Sequence, residues 1–404
     1  MTHALIIGGG VAGTVTAMAL RKAGIDATVY EARPADAADT GAFLVLFANG
    51  LAALRAVGAD GPVLERSFPA TRVDFVSGTG KHLGGRLLSG VREEGDTAAR
   101  TLKGAVLHRA LREEAARRGI DIVPGKRLLA AHTAPDGRVV ASFAGGGRAQ
   151  GDLLVGADGT HSAIRRLIDA AAPRPRYTGR ITVCGYTPAG GPSLARDAYT
   201  MVYGRRVLFG GTVAPDGAVW WFANVPADEM TRAEIAAVTA AQWRERVLAL
   251  LAEDDTPAAA VVRASDDSVA GFHAYDLASV PTWYRDSTVI VGDAAHALAP
   301  NVAQGASLAM EDGVVLAKCL RDLRRPRHAF AAYERLRRER VERVVAASAD
   351  QARRSTPGPV GRALRDAILP LRLERARGDA EDWLTGYRVD WDEPVPGALA
   401  GQRR

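Results

Sequence analysis

Ala4-Leu5-Ile6-Ile7-Gly8-Gly9-Gly10-Val11-Ala12-Gly13 opens the chain and decides its fold. The four apolar residues read as a buried parallel strand, and the Ala- and Leu-rich run from Ala12 to Ala23 as the helix that follows it. Between them Gly8, Gly10 and Gly13 have the G-x-G-x-x-G spacing. Gly8 allows the tight turn, Gly10 lets backbone approach a pyrophosphate, and Gly13 lets helix and strand pack closely. The helix amino terminus, with Val11 and Ala12 at its start, then offers free N–H groups and a positive dipole end to that pyrophosphate. Asp26-Ala27-Thr28-Val29-Tyr30 reads as a second strand ended by Glu31, 18 residues after Gly13. A carboxylate at that point binds ribose hydroxyls and repels a 2′-phosphate.

Two further segments repeat the strand-to-turn pattern. Gly156-Ala157-Asp158-Gly159 follows the apolar Leu153-Leu154-Val155, and Gly292-Asp293-Ala294-Ala295-His296 follows Thr288-Val289-Ile290-Val291. Each carries one carboxylate into the turn after a strand. One dinucleotide turn alone is weak; three such pieces of one chain imply a long cofactor wrapped from several sides, FAD. Asp158 has two readings, a hydrogen-bond partner for cofactor hydroxyls or water near the pyrophosphate, and a cap for the helix starting near Ser162. Asp293 is better placed for a cofactor role. The helix that opens across Pro300 to Gly305 would present its amino terminus to the electron-rich edge of a flavin.

Length and composition bound the alternatives. A chain of 404 residues, 47% hydrophobic and 24% charged, can bury one large core or two fused ones. The first strand begins at Ala4, which leaves no room for a signal peptide, and no apolar run approaches the length of a membrane span. Cys184 and Cys319 are the only cysteines, so a disulfide framework or cysteine zinc site is not expected, and a reducing cytoplasm is the simplest home. The eight histidines lack metal-ligand spacing, and no metal is expected. The net charge is +6, with basic residues concentrated between Arg321 and Arg354. Interrupting acids and missing aromatics make that stretch a solvated helix face rather than a nucleic-acid site.

The pattern divides the chain into four parts. Residues 1–176 form the first part of an α/β, Rossmann-like FAD-binding fold, and 281–354 return to it with long helices. Between them 177–280 read as an inserted, mostly antiparallel β-sheet domain, and 355–404 as a tail broken by Pro357, Pro359 and Pro370. Within the first part, 33–42 read as a loop, 78–104 as a surface excursion, and Pro135-Asp136-Gly137 as a hairpin turn. Short strands such as Tyr199 to Tyr203 and Ala218 to Val225 build the insertion, interrupted by one helix from Thr231 to Leu251. In Trp220-Trp221-Phe222-Ala223-Asn224, alternation puts Trp220, Phe222 and Asn224 on one strand face. With Arg206 on a neighbouring run they are candidates for the substrate pocket, against a reading of the aromatics as sheet core and Arg206 as surface.

The three segments, with Pro300-Asn301-Val302-Ala303-Gln304-Gly305, resemble the group A flavoprotein monooxygenases, the family of para-hydroxybenzoate hydroxylase, from about Ala4 to Asp350. The resemblance is greatest to bacterial single-component hydroxylases of aromatic rings, urate or polyketide-derived phenols. It implies non-covalent FAD, NAD(P)H and O2 as co-substrates, and hydroxylation of an aromatic small molecule through a flavin C4a-hydroperoxide, with no catalytic side chain. Leu107-His108-Arg109-Ala110-Leu111 resembles the family's cofactor-contacting segment. By that resemblance Arg109 meets the flavin side of FAD, Arg33 lies beside the adenosine or pyrophosphate, and Asp293 holds the ribityl chain. The Gly305 and Ala306 backbone then faces the isoalloxazine. Ala303 stands where the family commonly has glycine. Flavin-dependent halogenases and isoprenoid reductases share the scaffold, and a non-catalytic FAD-binding protein is a further alternative. Trp220-Trp221 followed by Phe222-Ala223-Asn224-Val225-Pro226 does not match the halogenase Trp-x-Trp-x-Ile-Pro segment.

Overall fold

The computed structural model describes residues 2–35, 42–88, 98–355, 358–375 and 382–396. Parts of the loops expected at 33–42 and 78–104, and Pro357, lie outside these residues.

A six-stranded sheet is ordered Tyr284–Arg285, Thr288–Ile290, Leu153–Gly156, His3–Ile7, Asp26–Tyr30, Asp121–Val123, parallel throughout except at the Tyr284–Arg285 edge. Its register pairs Ile7 with Gly156 and Gly156 with Ile290, so the three glycine segments leave adjacent strands at one carboxyl edge. The central strands are buried on both faces, which explains why they read as continuous apolar runs rather than alternating ones. Gly8 has φ 111°, and a Cβ there would lie 2.2 Å from the Ala157 carbonyl oxygen. At Gly13 a Cβ would lie 1.9 Å from the Gly8 carbonyl oxygen, so any side chain would push the Val11–Lys22 helix off the turn.

The second sheet has seven strands, ordered Ala270–Asp276, Arg176–Thr187, Val219–Pro226, Leu208–Val213, Tyr199–Tyr203, Arg72–Ser77, His82–Leu87. Its last two strands come from before residue 104, where a surface excursion was expected from Gly78 onward. Val73, Phe75 and Ser77 are buried in alternation, and Tyr199–Tyr203 pairs with Arg72–Ser77 in parallel, so this stretch belongs to the second sheet. The helix expected from Thr231 to Leu251 is two helices, Arg232–Ala237 and Ala240–Leu251. Each starts with a capping box, Thr231 with Glu234 and Thr239 with Gln242, and the second box ends the first helix. They cover the back of the sheet, where Trp221 and Trp243 are almost fully buried.

Gly305–Asp322 crosses Val11–Lys22 closely, because Gly313 leaves room for the Thr16 backbone, 2.9 Å from where a Cβ would sit. Two expectations fail beyond this helix. The basic run is not simply a solvated face: Arg337 on the Pro326–Ser355 helix is fully buried, paired with Glu311 and Asp312. Within the described part of the tail, neither Pro359 nor Pro370 breaks the helix. Pro359 starts a helix, Pro359–Arg375, which carries Pro370 inside it and lies against the His82–Leu87 strand. The chain then returns to the core through Trp391 and Val395, both buried.

Candidate active site

The carboxyl edge of the parallel sheet faces the second sheet across a cavity of about 2160 Å³. Gly10, Val11, Ala12, Asp293, Gly305 and Ala306 line one side; Thr182, Cys184, Phe222 and Asn224 line the other. A second cavity of about 450 Å³ adjoins the glycine turn and is lined by Glu31, Arg33 and Arg112. The turn from Gly8 to Gly13 lies between them, as a ligand with a pyrophosphate at its middle requires.

Glu31 Oε2 accepts the Gly9 N–H at 2.7 Å, and Oε1 accepts that of Arg33 at 2.8 Å. The carboxylate thus fixes the turn while its remaining lone pairs border the smaller cavity. No Cβ clash exists at Gly10, which faces open space. Asp293 follows Gly292, whose φ of 60° aims the next residue inward, and among the side-chain donors of the described residues it receives the Thr160 hydroxyl, at 3.3 Å. Burial pushes its carboxyl above the usual carboxylate range. A half-buried carboxyl with lone pairs to spare at the cavity floor suits a polyol chain. The amides that open the Gly305–Asp322 helix have no side-chain cap and no acid in the first turn, so their positive end faces the cavity. These features fit FAD laid from the smaller cavity across the turn to the larger one.

Other expected positions fall elsewhere. Asp158 accepts Ser162 Oγ, Ala163 N and Ile164 N, the last two at 2.7 and 3.1 Å, so it caps the Ala163–Ile168 helix. Of its two readings the capping one describes the structure. Arg109 is exposed, on the side of the Gly104–Arg117 helix away from buried Leu107 and Leu111. The residues of that helix turned to the cofactor cavities are His108, in the larger, and Arg112 and Ala116, in the smaller, with Arg112 Nε 3.4 Å from the Gly9 carbonyl. Arg206 is exposed as well, with Nη1 3.4 Å from the Ala249 carbonyl, and does not reach the cavity. Phe222 lines the cavity. Trp220 does not; it is packed by Phe43, Phe68 and Tyr186, with Lys103 Nζ 5.2 Å from its ring.

A buried polar network behind the helix entrance escaped the sequence. Asn49 Nδ2 donates to Gln304 Oε1 at 2.8 Å and to Glu311 Oε1 at 2.6 Å. Arg340 clasps Glu311 through two contacts at 2.9 Å, Arg337 joins Glu311 to Asp312, and Asp312 Oδ2 meets His296 Nε2 at 2.5 Å. Burial alone would raise the Asp312 carboxyl, but His296 and Arg337 hold it well below the usual range. Gln304 immediately precedes the amides facing the cavity. The one sequence signal was a run of charged and amide residues at helical spacing, Gln304, Glu311, Asp312, where solvent exposure would ordinarily be assumed. Ala303, just before it, has φ 50° and ψ 35°, a left-handed conformation.

The fold and the two cavities define a flavoprotein of the parallel-sheet, dinucleotide-binding kind. Residues 1–348 match the FAD binding domain family, and the chain belongs to it. It is 30% identical over 354 residues to aurachin C monooxygenase/isomerase of Stigmatella aurantiaca, covering 85% of this chain and 87% of that one. It is 31% identical over 404 residues to 3-amino-4-hydroxybenzoate 2-monooxygenase of Streptomyces platensis, covering 95% and 96%. Klebsiella pneumoniae HpxO, solved with FAD and uric acid, superposes with a TM-score of 0.81 at 24% identity, covering 92% of this chain and 93% of that one. The protein is an FAD-dependent monooxygenase.

Proposed function

We propose that the protein hydroxylates an aromatic small molecule, using NAD(P)H and O2, in the space between the Gly305 amides and the Phe222 face of the second sheet. The observation that carries this is their common cavity: the electropositive helix entrance and Asp293 stand on one wall, an aromatic and neutral sheet face on the other. Non-covalent FAD, when bound, supplies electron transfer and oxygen activation. Gly8, Gly10, Val11, Ala12 and Gly13 would hold its pyrophosphate, Glu31 a ribose, and Arg33 with Arg112 the adenosine side. Asp293 would fix the ribityl chain, and the Gly305 and Ala306 amides would stabilise negative charge on the pyrimidine edge. The side chains position the reactants and exclude water, and none is needed as nucleophile or base. Among the described residues no helix is long and apolar enough to span a membrane, and no cluster of metal ligands occurs. The names of the relatives, a hydroxybenzoate monooxygenase among them, support the aromatic substrate.

Asp293→Ala tests the reading. The variant should lose FAD or, where FAD is retained, release hydrogen peroxide in place of hydroxylated product, because a displaced ring admits water. Small displacements of this kind cost on the order of a hundredfold in rate. Flavin content by absorbance, with peroxide and product measured separately, reads the outcome. A variant with normal FAD content and full coupling would remove Asp293 from this role.

A further inference from the structure

The main cavity, about 2160 Å³, has to take the flavin half of FAD as well as a substrate. Its far end, away from the glycine turn, runs between the His82–Leu87 strand and the Pro359–Arg375 helix. Leu83, Leu88, Leu364, Ile368, Leu369 and Leu373 line that end. Leu83, Leu88, Leu369 and Leu373 belong to one apolar cluster with Phe222 and Met201, so the aliphatic passage is continuous with the aromatic wall. Strand and helix approach closely at Gly84, where a Cβ would lie 3.1 Å from Leu373 Cδ1. The passage reaches solvent at Leu87 and Leu364, which line the cavity and yet are 68% and 58% exposed. Four of the six exposed large hydrophobic residues among those described, Leu87, Val360, Leu364 and Leu371, lie on these two elements. Exposed apolar side chains so concentrated mark a binding surface.

The polar groups are distributed to match. On the sheet wall, Thr182 donates to Asn224 Oδ1 at 3.0 Å, and Tyr199 is paired with Thr101 at 2.7 Å. Four arginines line the cavity, Arg72, Arg86, Arg365 and Arg372, all on the two strands and the helix of its outer end, and Arg72 and Arg365 are paired with Asp74 and Asp366. Lys103 stands outside the lining with its Nζ 4.2 Å from the Tyr186 ring. Among the described residues these cations stand at the outer end, away from the Val219–Pro226 strand, so a substrate carboxylate held against Phe222 would be desolvated apart from them, which is unfavourable.

Resting on the reading of this cavity as the substrate site, we propose that the substrate is a neutral hydroxylated aromatic bearing a long aliphatic chain. The ring lies against Phe222, and the chain runs between the His82–Leu87 strand and the Pro359–Arg375 helix to the mouth at Leu364. The helix lies beyond the matched 1–348, so this specificity is supplied by a part of the chain outside the common FAD-binding body.

The test is equilibrium binding of 4-alkylphenols, from methyl to octyl, to the FAD-loaded protein, read by perturbation of the flavin absorbance. Each methylene should tighten binding about threefold to fourfold while the chain remains in the passage. Octylphenol should displace 4-methylphenol, and 4-hydroxybenzoate should bind more weakly than either. Leu364→Asp, at an exposed position, should abolish the gain for the longest chains and leave 4-methylphenol affinity within twofold of wild type. A flat series, tighter binding of 4-hydroxybenzoate, or a gain without displacement of 4-methylphenol would each overturn the proposal, as would an unchanged octylphenol affinity in Leu364→Asp. Coupled hydroxylation of 4-methylphenol, measured in parallel, reports on the monooxygenase reading by itself: it can stand when the chain-length series is flat.

Discussion

Glu31 and Ala303 show how single positions set cofactor binding. Glu31 accepts the Gly9 N–H of the turn and that of Arg33, and borders the smaller cavity, so Glu31→Ala loses a charge-assisted contact and loosens the turn. Loss of such a bond costs about 1.5–3 kcal/mol, and FAD affinity should fall roughly ten- to hundredfold by titration of apoprotein. An unchanged dissociation constant would take Glu31 off the ribose. Ala303 holds a left-handed conformation that disfavours any Cβ. Ala303→Gly should stabilise the protein by about 1 kcal/mol, seen as a higher midpoint in urea, because the strain is relieved where helix and flavin meet. A lower midpoint would mean that the methyl group contributes packing worth more than the strain.

The long helices depend on one another through buried charge. Arg337 is fully enclosed between Glu311 and Asp312, so Arg337→Met leaves two carboxylates without their shared cation. Breaking such a pair from one side costs about 3–5 kcal/mol, and urea unfolding at neutral pH should show a loss of that order. The pH dependence has a definite sign. The Asp312 carboxyl titrates lower in the folded state than in the unfolded one. Its contribution is therefore complete above the unfolded value, about 4, and is lost as pH falls below it toward the folded value. Asp312→Asn should be less stable than wild type at pH 7 and should lose less further stability on acidification below pH 4. Parallel losses for the two proteins would show that Asp312 carries no such linkage.

At the scale of the whole molecule the carboxyl-terminal segment acts as a strap. Lys318 and Arg321 donate to the carbonyls of Asp390 and Trp391, and Arg340 donates to those of Trp383 and Leu384. Removing residues 382–404 would strip acceptors from these cations and uncover the cavities filled by Trp391 and Val395. Each such side chain contributes about 1.5–3 kcal/mol by burial, so the shortened protein should melt several degrees lower. An unchanged melting temperature would make the strap dispensable. Arg340 also clasps Glu311, which shares Asn49 with Gln304, so loosening the strap should be felt at the flavin-facing amides as lower FAD retention.

The sequence by itself determined what depends on neighbours along the chain. The glycine spacing, the apolar strands and the turns carrying Glu31 and Asp293 are local, and strand-by-strand register then sets them at one edge of the parallel sheet. The alternation of Trp220 and Phe222 was equally legible, because a strand's period is fixed by its backbone. What only the tertiary structure decided depends on which surfaces meet. Arg109 and Arg112 are both basic and one helical turn apart, and only packing of the helix selects which one faces Gly9. Arg337 looks like a surface arginine until Glu311 and Asp312 on another helix enclose it. The Arg72–Ser77 and His82–Leu87 strands carry no mark of the distant sheet they join, and the Pro359–Arg375 helix is stabilised by the surface it covers despite Pro370. Local propensity is a weak preference, and burial against a remote partner is large enough to override it.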